Sequence, residues 1–181
     1  MKYIFVDLDE CLLHTSYFYG QKPSDDLAKG YGQFHAGNYL YVAELRPGAL
    51  DLLKRIREIV PTERVFMLTT SVADYAAHWN EYFGLGFQPD QIYSREHIQN
   101  LDIDAAKFPQ AEAYHIDNLS RGENRMKIQF LRQIDHTPTY IQVTEFIESP
   151  RDDFTEKELS EVIGTITADT RLDRQVVGNF F

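Results

Sequence analysis

Two aspartates near the start of the chain carry the clearest chemical motif in the sequence. Asp7 and Asp9 directly follow a short apolar run, Tyr3 to Val6, and one residue separates them. At this spacing one carboxylate can attack phosphorus while the other protonates the leaving oxygen and later activates water. The two charges repel each other, and a hard, oxygen-preferring cation such as Mg²⁺ relieves that repulsion. The motif alone fits a loop cap or a surface turn as well, so its chemistry depends on its surroundings.

The elements that would position these aspartates alternate between strands and helices. Short apolar runs rich in β-forming residues predict four strands: Tyr3–Val6, Val65–Leu68, Ala113–Ile116 and Tyr140–Val143. Helical spacing of apolar residues predicts four helices: from Pro47 to Val60, from Ser71 to Tyr82, from Lys127 to Ile134 and from Thr155 to Ile166. This alternation predicts an α/β fold, a Rossmann-like parallel sheet flanked by helices.

Three polar residues come just after predicted strands. They are Asp7, Thr69 and Asp117. In open parallel sheets, ligands bind outside the carboxyl ends of the strands. We therefore expect these three side chains to lie along one edge of the sheet and to form a ligand site.

The segment after the first strand interrupts the alternation. Residues 17–37 are rich in Gly, Ser, Asp and Lys, which predicts mostly loop, and residues 39–44 mix aromatic and aliphatic side chains, which predicts one strand of a hairpin. We expect residues 1–181 to form a single domain with a small hairpin insert within about residues 17–44. The insert would overhang the catalytic edge.

Composition limits the classes of function. The chain has 181 residues and a net charge of −10, which argues against a general nucleic-acid binder. The single cysteine, Cys11, allows no internal disulfide and suits a reducing compartment. The apolar start is too short for a signal peptide, and no run approaches the roughly 18 apolar residues of a membrane span. These features predict a cytoplasmic protein that does not bind membranes.

The first motif resembles that of a known enzyme superfamily. The run Asp7-Leu8-Asp9-Glu10-Cys11-Leu12-Leu13-His14 is similar to the first motif of the haloacid dehalogenase superfamily, in particular of the phosphatases of the RNA polymerase II carboxy-terminal domain. The resemblance continues at Leu45-Arg46-Pro47-Gly48 and in the run 65–76. It implies that Asp7 is the nucleophile and Asp9 the general acid and base. It also implies that Thr69 binds the phosphoryl group, with Thr70 beside it in the substrate site.

Further motifs resemble the same family in the same order. Arg95 and Glu96 match its Arg-Glu segment, Lys107 falls where its phosphate-binding lysine is expected, and Asp117 with Asn118 matches its last motif. The resemblance implies a Mg²⁺ site formed by these members: Asp7, Asp9, Asp117 and Asn118. The chain departs from the pattern at Cys11, where a threonine is usual, and in the stretch from Lys107 to Asp117, which is short and contains Pro109.

The sequence as a whole predicts a Mg²⁺-dependent phosphomonoester hydrolase that forms an aspartyl-phosphate. The resemblance implies a phosphoserine or phosphothreonine protein as substrate, and a nucleotide or another small phosphorylated metabolite is the alternative. A cysteine phosphatase is disfavoured, because such enzymes have an arginine six residues after the nucleophile and position 17 is Tyr17. A catalytically inactive binding module is also disfavoured, because such a protein would usually have lost Asp7, Asp9, Lys107 or Asp117.

Overall fold

The computed structural model describes residues 1–20, 32–144 and 154–168, which form two β-sheets and the helices around them. The strands are β1 (Lys2–Val6), β2 (Leu13–Tyr19), β3 (Gly32–Ala36), β4 (Tyr39–Leu45), β5 (Val65–Leu68), β6 (Ile92–Tyr93), β7 (Glu112–Asp117) and β8 (Thr139–Gln142). The α-helices are α1 (Ala49–Ile59), α2 (Ala73–Tyr82), α3 (Arg95–Asn100), α4 (Arg125–Leu131) and α5 (Glu156–Thr167).

The larger sheet has the strand order β6-β5-β1-β7-β8, and every neighbouring pair is parallel. β1 is the central strand, and its last residue, Val6, lies opposite Met67 of β5 and Ile116 of β7. Because the strands run in the same direction, the carboxyl ends of β1, β5 and β7 meet at one edge. The predicted parallel α/β sheet is confirmed.

Helices cover both faces of this sheet. Ile4 and Val6 belong to a core cluster that includes buried residues of α1, α2 and α5. Tyr3 and Phe5 belong to a second cluster with residues of α3 and α4. Successive side chains of a strand point to opposite faces, so β1 supplies both clusters. Burial on both faces also explains why β1 and β5 are continuous apolar runs in the sequence.

The insert after β1 is a three-stranded antiparallel sheet with the order β2-β4-β3. Gly37 and Asn38 join β3 to β4, and Gly37 has a φ of +58°, which a glycine adopts without strain. The predicted hairpin insert is confirmed, but its described strands begin at residue 13 and end at residue 45. β2 and β3 show that the predicted loop over 17–37 is wrong for residues 17–19 and 32–36. Residues 21–31 lie outside the described ranges.

Several helix limits differ from the predicted ones. Ser71 does not cap α2, which begins at Ala73 after Val72, because the Ser71 hydroxyl bonds to Asp9 instead. α4 spans Arg125–Leu131 rather than 127–134. The two shortest elements, β6 and α3, were not predicted, because six residues or fewer give too little periodicity to recognise. No helix among the described residues is long and apolar enough to cross a membrane.

Arg46 connects the insert to the nucleophile loop and to α5. Its fully buried guanidinium lies 3.6 Å from the centre of the Phe154 ring. It donates hydrogen bonds to the carbonyl oxygens of Cys11 and Thr144, and it pairs with Glu158 at 3.3 Å. The Glu158 carboxylate also accepts a hydrogen bond from the main-chain nitrogen of Thr144 at 2.8 Å. Arg46, in the Arg-Pro-Gly segment, therefore links the loop after Asp7 to Thr144 and to α5.

Candidate active site

Two neighbouring strands place Asp7 and Asp117 next to each other. Asp7 directly follows β1, Asp117 ends β7, and the two strands pair in parallel with Val6 opposite Ile116. The main-chain nitrogen of Asp7 donates a hydrogen bond to the carbonyl oxygen of Ile116 at 2.9 Å, which continues the ladder beyond the strand. Asp7 is 4% exposed and Asp117 is fully buried. Two carboxylates this close and this buried require a compensating charge.

Lys127 of α4 supplies that charge. Its Nζ lies 2.6 Å from Oδ1 of Asp7 and 2.7 Å from Oδ2 of Asp117, and the residue is 2% exposed. A signal for this position exists in the sequence. Lys127 shares the buried face of α4 with Ile128 and Leu131, and a charged residue on the apolar face of a helix usually has a partner. Sequence reasoning missed this lysine because it follows the Asp117-Asn118 motif instead of preceding it.

The structure corrects the predicted position of Lys107. Lys107 is exposed, ends a short 3₁₀ turn and lines a separate cavity of about 450 Å³ together with Tyr3 and Phe108. The reason is the short connection to β7. β7 has six residues, and a strand advances by about 3.3 Å per residue. The strand therefore carries the chain roughly 20 Å, from the amino edge of the sheet to the carboxyl edge where Asp7 lies. A residue just before β7 therefore lies at the amino edge, away from Asp7.

Asp9 is held by two hydroxyl groups. Its Oδ2 accepts a hydrogen bond from Ser71 at 2.6 Å, and its Oδ1 accepts one from Tyr75 at 2.6 Å. Glu10 follows with a φ of +57°, a left-handed turn that takes the chain from the catalytic edge into the insert. Asp9 and Glu10 both line the cavity in front of Asp7. Sequence reasoning placed Ser71 at the start of a helix and gave Tyr75 no role at the site, so it missed both contacts.

Thr69 and Thr70 occupy different positions at the end of β5. Thr69 is buried, and its hydroxyl oxygen accepts a hydrogen bond from the main-chain nitrogen of Ser71 at 3.1 Å. Thr70 is exposed and lines the cavity beside Asp7. The structure therefore brings Thr70 to the open site, whereas the Thr69 side chain shapes the turn behind it. Phosphoryl binding by either residue stays a prediction.

Asn118 brings a buried acceptor oxygen to the site that has no hydrogen-bond partner among the described residues. Its Oδ1 is buried without a hydrogen-bond partner, and the residue lines the cavity with Asp7 and Asp9. Such an unpaired oxygen beside two carboxylates fits a hard cation such as Mg²⁺. Asp117 is less suited to binding a cation directly. Its Oδ1 accepts a hydrogen bond from the main-chain nitrogen of Leu119 at 2.8 Å, and its Oδ2 is paired with Lys127.

The set of possible metal ligands is small. Among the described ranges, no group of three or more His, Cys, Asp or Glu side chains is arranged to hold a metal ion. A Mg²⁺ ion at this edge would therefore be held by the Asp7 carboxylate, the Asn118 amide oxygen and the main-chain carbonyl of Asp9. Asp117 would act through Lys127. The residues present fit the ion, because Mg²⁺ prefers oxygen ligands and all three of these groups supply an oxygen atom.

Burial and charge shift the pKa values of this cluster in different directions. Burial raises the pKa of Asp7 to about 7, with Lys127 opposing the shift and Asp117 adding to it. Burial also acts to raise the pKa of Asp117, but Lys127 and His115 outweigh it and the net shift is downward. The two carboxylates in turn raise the pKa of Lys127 against the effect of its burial. The lysine is therefore charged, and Asp117 is the more fully ionised of its partners.

The cavity in front of Asp7 opens towards the insert. Its volume is about 230 Å³, and its lining combines the site residues with Glu123, Asn124 and Met126. A groove of about 320 Å³ continues from it, shares Asp9 and Glu10, and extends over Tyr17 and Arg95. Asp7 can thus be reached from solvent although almost all of its surface is covered.

Comparison with known proteins identifies the fold. No family model and no curated protein matches the chain. Two solved structures match 96% of it: the fission yeast RNA polymerase II CTD phosphatase Fcp1, as a variant bound to beryllium fluoride, with 16% identity and a TM-score of 0.52, and Fcp1, an essential RNA polymerase II CTD phosphatase, with 17% identity and a TM-score of 0.54. This chain has the haloacid dehalogenase-like fold. It spans about half the length of those two chains, 53% and 52%.

Proposed function

We propose that this protein is a Mg²⁺-dependent phosphomonoesterase that acts through an aspartyl-phosphate on Asp7. The observation that carries the proposal is the buried cluster of Asp7, Lys127 and Asp117, with Asp9 two residues from the nucleophile. The cluster lies at the carboxyl edge of the sheet, where α/β proteins bind their ligands. The fold it shares with two phosphatase structures supports the same conclusion.

Asp7 and Asp9 divide the chemistry between them. A carboxylate oxygen of Asp7 bonds to phosphorus, the bond from phosphorus to the ester oxygen breaks, and the leaving oxygen takes a proton from Asp9. Water then attacks the phosphorus atom of the aspartyl-phosphate and gives its proton to Asp9. Inorganic phosphate and the Asp7 carboxylate are released. The proton that Asp9 loses in the first step is recovered in the second.

Positive charge and hydrogen-bond donors offset the charge of the phosphoryl group. Lys127 is fixed by Asp117, so its ammonium is positioned before substrate arrives and requires no reorganisation during the reaction. Thr70 lies at the rim of the cavity, where its hydroxyl can donate to a phosphoryl oxygen. A Mg²⁺ ion held by Asp7 and Asn118 would add charge neutralisation between the nucleophile and the substrate oxygens.

We further propose a phosphoserine or phosphothreonine protein as the substrate. The cavity before Asp7 continues into a surface groove along the described strands of the insert, so a residue on a polypeptide can enter from that side. Tyr17 and Tyr41 give the groove an aromatic wall, and Arg95 adds a positive charge to it. Such a groove offers contacts to residues on either side of a phosphorylated side chain.

A substrate panel with a nucleophile variant tests this proposal. We expect phosphopeptides to have a higher kcat/KM than nucleoside monophosphates, and Asp7→Asn to abolish turnover of every ester without unfolding the protein, because an amide does not attack phosphorus. A higher kcat/KM on nucleotides would favour the small-metabolite alternative. Wild-type rates in folded Asp7→Asn would refute the mechanism.

A second measurement does not depend on turnover. Fluoroberyllate bonds to carboxylate oxygens and imitates a bound phosphoryl group. With Mg²⁺ present, ¹⁹F NMR should show a protein-bound fluoroberyllate signal for the wild type and none for Asp7→Asn. An equal signal from both proteins would remove Asp7 from the role of nucleophile.

A further inference from the structure

Tyr75 is one of two residues whose hydroxyl groups bond to the Asp9 carboxylate, the other being Ser71. The Tyr75 hydroxyl donates to Oδ1 of Asp9 at 2.6 Å, a distance typical of strong hydrogen bonds to a charged oxygen. The ring is 6% exposed, and burial, with the neighbouring Asp9 charge, raises the pKa of the Tyr75 hydroxyl. The phenol therefore stays protonated and keeps donating.

Each strand of the insert sheet contributes one contact to Tyr75. The hydroxyl oxygens of Tyr75 and Thr15 of β2 are hydrogen-bonded at 2.8 Å. The ring of Phe34 in β3 meets the Tyr75 ring edge-on, with centres 5.7 Å apart and planes at 82°. The ring of Tyr41 in β4 also meets the Tyr75 ring edge-on, with centres 5.3 Å apart and planes at 74°. Tyr75 therefore contacts β2, β3 and β4 of the insert sheet, which is separate from the parallel sheet.

The insert and α2 also pack in close contact at Gly32. At Gly32 of β3, an added Cβ atom would lie 2.5 Å from Cζ3 of Trp79 and 2.7 Å from Cε1 of Tyr82. Only a residue without a side chain allows this approach, so β3 lies directly on the helix that carries Tyr75. A displacement of the insert would therefore move the tyrosine with it.

We propose that Tyr75 is a positioning residue for Asp9 and that the insert sheet, by holding Tyr75, sets the geometry of proton transfer. The inference rests on the proposed phosphatase function, because it assigns Asp9 the role of acid and base. Tyr75 lines the groove next to Asp9, and its proposed role is exerted through that carboxylate. It acts by keeping the carboxylate of Asp9 in one orientation, together with Ser71.

The position of a general acid matters most for a poor leaving group. When a serine phosphate is cleaved, the departing alkoxide is strongly basic and needs the proton from Asp9 as the bond breaks. A dinitrophenolate is weakly basic and departs without it. A displaced Asp9 should therefore slow the first ester much more than the second. Loss of folding would slow both alike, and a loss of groove contacts to the peptide would raise the KM of the peptide while leaving its kcat near the wild-type value.

The experiment compares Tyr75→Phe with the wild type on a phosphoserine peptide and on 2,4-dinitrophenyl phosphate. We expect kcat to fall about 10-fold or more on the peptide and by less than about 3-fold on the activated ester. Asp9→Asn should show the same selectivity with a larger loss. Tyr82→Phe, which removes the hydroxyl of an exposed tyrosine on the same helix, should change neither value.

Variants in the insert test the second half of the inference. Phe34→Leu removes an aromatic contact to Tyr75 without touching Asp9, and it should reproduce the selectivity of Tyr75→Phe at smaller size. A crystal structure of Tyr75→Phe should show the Asp9 carboxylate turned from its wild-type orientation.

Three results would overturn the inference, and they are distinguishable. Equal losses on both esters, or no loss, in Tyr75→Phe would remove the positioning role of Tyr75. Wild-type selectivity in Phe34→Leu would remove the role of the insert. Failure of the wild-type protein to hydrolyse either ester would overturn the proposed function itself, and the inference with it.

Discussion

The ammonium group of Lys127 lies 2.6 Å from Oδ1 of Asp7, although the two residues come from opposite halves of the chain. The same nitrogen lies 2.7 Å from Asp117, so one lysine pairs with both buried carboxylates of the site. The contact places a fixed positive charge next to the candidate nucleophile at the carboxyl edge of the sheet.

Replacing this lysine should impair catalysis much more than replacing Lys107. We expect Lys127→Ala to lower kcat by about 100-fold, the scale of losing one preorganised electrostatic partner. Lys107→Ala is the matched control, and it should keep nearly normal kcat/KM because Lys107 lies at the other edge of the sheet. Steady-state kinetics on one phosphate ester measures both.

Folding has to be checked in the same series, because Lys127→Ala leaves two carboxylates buried without a counter-charge. Lys127→Arg keeps the charge and should preserve the fold, yet it should recover only part of the activity, since a planar guanidinium does not replace a compact ammonium. A folded Lys127→Ala protein with normal kcat, or a comparable loss in Lys107→Ala, would contradict the assignment.

The affinity for Mg²⁺ should rise with pH. Burial raises the pKa of Asp7 to about 7 in the metal-free protein, so below that pH the ion must displace a proton from this carboxyl group. The apparent affinity should increase by up to about 10-fold per pH unit below the pKa and level off above it. Isothermal titration calorimetry at pH values on both sides of about 7 measures this slope.

Chelation gives the corresponding activity test. Excess chelator should abolish hydrolysis and added Mg²⁺ should restore it, whereas Ca²⁺ should substitute poorly because its coordination is larger and looser. Full activity in chelator would exclude the proposed ion. A Mg²⁺ affinity independent of pH would mean that Asp7 is not among its ligands.

Cys11 should be dispensable for the chemistry. Its side chain is fully buried, and burial, with the charge of Asp7, raises the pKa of the thiol well above its ordinary value. A protonated, enclosed thiol is a poor nucleophile. Cys11→Thr, which installs the residue usual in the family that the motif resembles, should retain substantial kcat/KM. A loss as large as that of Asp7→Asn would show that the chemistry belongs to the thiol.

Arg46 should contribute mainly to stability. Arg46→Lys removes the stacking on Phe154 and leaves carbonyl and carboxylate groups around the buried guanidinium site without all of their donors. We expect the free energy of unfolding to fall by about 2–4 kcal/mol in equilibrium denaturation. Arg55→Lys is the control, since Arg55 also pairs with α5, through Glu156, but at the surface. An equal effect of both substitutions would contradict the stabilising role of the buried contacts of Arg46.

The insert contains a sequence pattern typical of a strand, but the loop-forming residues that follow it determined the prediction. Thr15 to Tyr19 is a run of β-branched, aromatic and small residues that favours a strand, and this run lies in β2. The glycines and charged residues that follow predicted a loop from residue 17 onwards, and that interpretation was carried through to residue 37. The exposed side of β2, with Tyr17 and Tyr19, gave no hydrophobic alternation to correct it.

By itself the sequence determined the parallel sheet and the positions of Asp7, Thr69 and Asp117 at its carboxyl edge. Strands buried on both faces are apolar runs, and the polar residue after each run must lie where the strand ends. Such information is local, so it can be recognised without a structure.

Only the tertiary structure decided which cation and which hydroxyls complete the site. Lys107 and Lys127 are equally charged, and the length of the connection into β7 and the packing of α4 determine which one reaches Asp7. The contact of Tyr75 with Asp9 likewise joins α2 to the loop after β1. Contacts between distant segments depend on how the elements pack in three dimensions, and no spacing along the chain encodes them.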